Sequence, residues 1–175
     1  MSAFVLLARP WWVNLLILAP AVPWFLARKQ RLAIVRTRLI WAAAFGIAFG
    51  FVEAAVVVYL RAATGLLPVP QTDKLIFVPP TLLRLECFRE AATMVMLIAI
   101  AWLAGKNACE RAAAFLWTFA FWDFFYYVWL RVAIGWPASL LTPDVLFLLP
   151  VPWISQVWFP LLVSGLTIVA VRMRS

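Results

Sequence analysis

The sequence predicts an all-α protein, a polytopic transmembrane bundle of about five spans, and three observations predict it. Of the 175 residues, 67% are hydrophobic and 13% charged, with a mean hydropathy of +1.00, whereas a soluble domain is about half apolar and a quarter charged. The apolar residues fall in blocks of about 20, the length that crosses roughly 30 Å of hydrocarbon. The basic residues behind the net charge of +8 fall between those blocks. Orientation signals sit there, whereas a nucleic-acid site needs its charge on one soluble face. Residues 1–175 are read as a single membrane domain.

The spans fall at about 10–27, 39–61, 85–104, 111–131 and 153–172. No basic stretch precedes the first, and RKQR follows it, the wrong polarity for a cleaved signal peptide. It reads as a retained extra helix which, with the basic loop ARKQRLAIVRTR, makes a unit over 1–38. Arg28, Lys29, Arg31, Arg36 and Arg38 place that loop in the cytoplasm by the positive-inside rule. Alternation then puts the N-terminus outside and the C-terminus inside, with nine basic residues on the cytoplasmic side against six outside. Residues 39–104 form a first helical hairpin and 109–172 a second. Trp11, Trp12, Trp129, Trp136 and Trp153 mark the outer boundary as an aromatic belt. The outer loops LLPVPQTDKLIFVPP and WPASLLTPDVLFLLPVP are apolar and rich in proline. They are expected to lie along the interface or dip into the bundle as re-entrant pieces.

The two hairpins carry an internal repeat offset by about 70 residues: EAAVVVYLRAATG from Glu53 and DFFYYVWLRVAIG from Asp123. In so apolar a chain only the rare letters carry weight, namely Glu53/Asp123, Arg61/Arg131 and Gly65/Gly135. The match continues through Asp73/Asp144, Pro79/Pro150, Phe88/Phe159 and Thr93/Ser164, while Arg89 meets Pro160 and Glu90 meets Leu161. Parallel repeats of this kind place a site between the copies; duplication with four-helix packing alone is the other reading.

An ionisable residue at mid-span costs about 2.5–3.5 kcal/mol and needs a partner. Glu53 and Asp123 each lie eight residues from their arginine, roughly 12 Å of helix, too far for an ion pair. Arg61 and Arg131 are therefore expected to snorkel outward. The acids look instead to neighbouring helices, where Arg84, Glu86, Arg89 and Glu90 offer partners on the third span. Gly46, Gly50 and Glu53 share a face, and GIAFG lets another helix approach there. Tyr126 and Tyr127 stand one turn outward of Asp123, and Tyr59 similarly above Glu53. The candidate ligand or ion site is Glu53, Glu90 and Asp123 with Arg61, Arg89, Arg131, Tyr126 and Tyr127. Functional and interhelical-glue readings of it stay open.

The chain has no histidine, which removes imidazole-based triads, haem ligation and the usual zinc sites. No P-loop, dinucleotide fingerprint or cysteine-rich pattern is present, so no cofactor and no metal are expected. Cys87 and Cys109, at opposite ends of one span, are expected as free thiols.

Together, EAAVVVYLR, REAATMVMLIAIAWLAG, FWDFFYYVWL, GWPASLLTPDVLFL and PVPW resemble an uncharacterised family of small bacterial multi-pass integral membrane proteins, over roughly residues 45–165. The resemblance implies a location in the bacterial cytoplasmic (inner) membrane and carries no activity. Three functions remain open. The first is binding or translocation of a proton, small cation or small polar ligand, since carboxylates suit hard cations and protons. The second is an accessory subunit of a larger membrane complex or a homo-oligomer. The third is a membrane-embedded enzyme on a lipid or polyprenyl-phosphate substrate. The lipid bilayer is the expected partner, and nucleic acid is not.

Overall fold

The computed structural model describes residues 8–26, 32–65, 67 and 79–175. A 3-10 helix, Trp11–Ala21, runs into α1 (Val22–Leu26). It is followed by α2 (Arg36–Ala63), α3 (Pro80–Ala104) and α4 (Ala108–Ile134). A hairpin of β1 (Pro143–Phe147) and β2 (Trp153–Gln156) leads into α5 (Trp158–Arg174). Three helices, α2, α3 and α4, are long and apolar enough to cross a membrane, and Trp11–Leu26 is a shorter apolar helix. Their outward faces carry large apolar side chains, such as Phe88 and Leu103, each 76% exposed, as a lipid-facing surface does.

Local sequence sets these boundaries. On α2 the buried residues Leu39, Ala42, Ala43, Gly46, Gly50, Glu53 and Ala54 recur at helical spacing. Pro80 opens α3, where its missing N–H costs nothing. Asn107 caps α4 by accepting from the Glu110 N–H at 2.9 Å, and the Glu110 carboxylate reaches back to the Lys106 N–H at 2.8 Å. Gly135, at φ +72°, ends α4 in the left-handed conformation, its N–H donating to the Arg131 carbonyl at 3.1 Å.

Helix α4 is the central element, packed on α2, α3 and α5. The expected close approach at GIAFG is present. A Cβ added at Gly46 would sit 2.7 Å from the Thr118 carbonyl oxygen, and one at Gly50 would sit 2.8 Å from that of Trp122. Two α4 indoles fasten the pair, Trp117 Nε1 donating to the Leu39 carbonyl at 2.8 Å and Trp129 Nε1 to that of Ile47 at 3.0 Å. At one end of the bundle Arg38 donates to the Ala104 carbonyl at 3.1 Å and Leu32 N–H to the Arg174 carbonyl at 2.9 Å. The β-hairpin closes the other end.

The expectation of an all-α chain is corrected by that hairpin. Strands β1 and β2 pair antiparallel, Val145 opposite Ile154, and Arg9 exchanges both backbone hydrogen bonds with Ile154 at 2.8 Å. Pro143, Pro150 and Pro152 each remove a backbone donor and disfavour helix at the residue before them. An apolar run so interrupted satisfies its backbone by pairing with itself. The predicted last span, about 153–172, consequently spends its first residues in β2, and α5 is 17 residues long. The first span is mostly 3-10 helix rather than α-helix, with Pro20 inside it. The loop bearing Asp73 and Lys74, and Arg28, Lys29 and Arg31 of the basic loop, lie outside the described residues.

Candidate functional site

Glu53, pointing from α2 into protein at 8% exposure, forms an ion pair with Arg89 Nη1 of α3. Arg89 also donates from Nη2 and Nε to Glu86 Oε2, at 2.7 and 2.8 Å. The Thr93 hydroxyl, one turn further along α3, faces the Glu53 carboxylate. A single guanidinium thus serves two buried acids. This cluster is complete in itself: each charge has an opposite partner.

Glu90 is also buried, but both its oxygens accept the Leu148 N–H at the hairpin turn, at 2.9 and 3.1 Å. It ties α3 to the hairpin and does not join the Glu53 pair. Asp123 on α4 accepts the Ser164 hydroxyl of α5 at 2.7 Å. Tyr127 does not serve Asp123 directly; its hydroxyl donates to Asp144 Oδ2 on β1 at 2.9 Å. Burial pushes Asp144 up to about 6, against the downward pull of the Tyr127 hydrogen bond, the Arg61 charge and the Val145 N–H. Tyr126 lies in electrostatic range of Glu53, Arg61, Arg89 and Asp144.

The eight predicted side chains therefore divide among separate places. Arg61 is not exposed as a snorkelling side chain would be, whereas Arg131 is. Arg61 is buried with its guanidinium 4.3 Å from the Trp136 ring centre, and Arg131 turns back on its own helix end to donate to the Gly135 and Pro137 carbonyls. Tyr59 is 71% exposed and does not stand over Glu53. Arg84 is exposed as well.

Beside Asp123 lies a cavity of about 390 Å³ between the 3-10 helix, α3, α4, α5 and the hairpin. Its wall is mostly apolar, including Leu116, Phe119, Trp122, Phe147, Trp153 and Phe159; Asp123, Ser164 and Thr167 supply its carboxylate and hydroxyls, and the indole N–H groups of Trp122 and Trp153 are buried without an acceptor among the described residues. Thr167 donates its proton to the Val163 carbonyl at 2.7 Å, and Ser164 donates to Asp123. Asp123 is enclosed by protein yet keeps accessible surface, because it opens into this space. Among the described residues no arginine or lysine pairs with it. Sequence reasoning did not include Ser164, Glu86 or Asp144 in the site; the Thr93/Ser164 correspondence was the available signal for the first.

Among the described residues no group of three or more cysteine, aspartate and glutamate side chains converges as a bound metal requires. Cys87 and Cys109 are free thiols. No family model, curated protein or solved structure matches the chain.

Proposed function

We propose that this chain is a multi-pass membrane protein that binds a lipophilic molecule with one small cationic or proton-donating head, the head at Asp123 and the apolar body in the adjoining cavity. One observation carries the reading. Asp123 has a hydroxyl donor and, among the described residues, no cation, and where the internal sequence match sets Arg89 of the Glu53 cluster it sets Pro160, a residue of the cavity wall. The charge that Arg89 supplies to Glu53 is left, at Asp123, for a ligand or a proton to supply.

The surroundings narrow the ligand. A hard metal cation takes about six oxygen ligands, and this wall offers one carboxylate and two hydroxyls. An organic ammonium needs fewer, and its alkyl part packs against the apolar wall. The cavity volume of about 390 Å³ lies within the range of small-molecule sites. Glu53, already paired with Arg89, is read as a structural counterpart and not as part of the binding group.

Trp122 and Trp153 line the cavity, so a bromine-labelled dodecylammonium ion should quench their fluorescence saturably in nanodiscs of zwitterionic lipid. Asp123→Asn should weaken that binding at least about tenfold, the loss of one charge-assisted contact, with the helical circular dichroism unchanged. Equal affinity in Asp123→Asn, or equally tight binding of the matching bromododecanoate, would sink the proposal.

A further inference from the structure

Among the described residues a second charged group has no hydrogen-bonding partner, and it carries the opposite sign. Arg61, in the last turn of α2, is 6% exposed. Its Nε is buried with no hydrogen-bond acceptor, and neither Nη makes a hydrogen bond among the described residues. Arg89 makes ion pairs with Glu53 and Glu86, and Arg61 takes part in neither. Asp144, the acid in electrostatic range of Arg61, is beyond ion-pair distance and is held by Tyr127.

An arginine stays charged in any protein environment. Taking such a charge out of water without a bonded acid costs several kcal/mol. The structure offers against this the face of Trp136, whose centre lies 4.3 Å from the guanidinium carbon, and such a contact is worth about 0.5–2 kcal/mol. Arg131 shows that the helix end does not impose this: one helix over, the same residue type satisfies itself on the Gly135 and Pro137 carbonyls. A guanidinium stacked on a ring keeps its N–H edge free, and that edge matches two oxygens of a phosphate.

We infer that Arg61 binds a phosphate group edge-on, with Trp136 as the platform beneath it, the phosphate coming from a phospholipid headgroup or from a free phosphate ester. Its place at the hairpin end, in the last turn of a helix long enough to cross a membrane, is the depth at which headgroups lie. The inference is independent of the Asp123 cavity, whose lining does not include Arg61.

The test uses the wild-type protein in dodecyl maltoside, which has no phosphate. Phenylglyoxal modification of Arg61, followed by peptide mass, should slow roughly tenfold on saturation by the bound group. Protection by phosphatidylglycerol but not by inorganic phosphate identifies a lipid headgroup, and protection by both identifies a free phosphate ester. In native mass spectrometry Arg61→Gln should lose one bound phosphatidylglycerol that Arg131→Gln retains. Protection by neither probe, or the same lipid retained by Arg61→Gln, would overturn the inference.

Discussion

Glu53 and Asp123 each face a hydroxyl of the following helix and differ in the charge beside them. Glu53 on α2 faces the Thr93 hydroxyl of α3, and Asp123 on α4 accepts the Ser164 hydroxyl of α5. Around Glu53 the next group is Arg89, which closes the cluster with Glu86; around Asp123 it is open space walled by Pro160, Phe159 and Trp122. An acid with its cation built in holds helices together, whereas an acid beside a cavity has its counter-charge still to come. One acid thus sits in a closed ion-pair cluster and the other in a candidate site, and the difference between them is one arginine side chain.

The largest effect follows from breaking the closed cluster. Arg89→Met leaves Glu53 and Glu86 buried without a cation, and removing one member of such a group costs about 3–5 kcal/mol. Because Arg89 keeps some exposure, at 22% of its side chain, the lower end is expected. A denaturant titration in mild detergent should show that loss, and Arg89→Met with Glu53→Gln and Glu86→Gln should recover most of it. A wild-type midpoint in the single variant would mean that the cluster does not hold α2 to α3.

A smaller effect concerns the strand that closes the cavity end. Asp144 titrates at about 6 in the fold against 3.8 for a free aspartate. The folded state therefore holds the proton more tightly than the unfolded state between those values. Stability should fall as pH rises through that window, by about 1–3 kcal/mol. In Asp144→Asn that slope should become shallower by Asp144's share. A wild-type curve that climbs over the same interval would show that Asp144 is better solvated than its place between Tyr127 and Arg61 implies.

The three long helices were legible because each contains an apolar block of spanning length, which no short-range feature mimics. The approach of α4 at Gly46 and Gly50 was legible too, since two missing side chains on one face admit a neighbour's backbone. The hairpin was not: apolar runs of five to eight residues read alike as strand, loop or buried helix, and prolines said only that the run was not helical. The ion pair of Glu53 was within reach, because α3 carries few polar residues to choose from. The cavity was beyond reach, since an empty volume depends on how side chains from several segments pack together. Arg61 and Arg131 look alike in sequence and end differently, one over Trp136 and one on its own helix end. Trp136 lies just past the end of α4, and a pattern local to α2 does not contain it.

The finest discrimination between the two acids is a stability measurement in the absence of ligand. Glu53→Gln takes from Arg89 one of its two carboxylates, so part of a buried ionic group is lost while Glu86 remains. A cost of about 1–2 kcal/mol is expected, below that of removing the shared cation. Asp123→Asn removes no ion pair, and its amide oxygen still accepts the Ser164 hydroxyl. It should change stability by less than about 0.5 kcal/mol, as substitutions that break no such network do. Unfolding both variants in one detergent and comparing midpoints decides the matter. If Asp123→Asn proves the more damaging, Asp123 has a structural partner of its own, the asymmetry between the acids disappears, and the cavity loses its claim to supply what Arg89 supplies elsewhere.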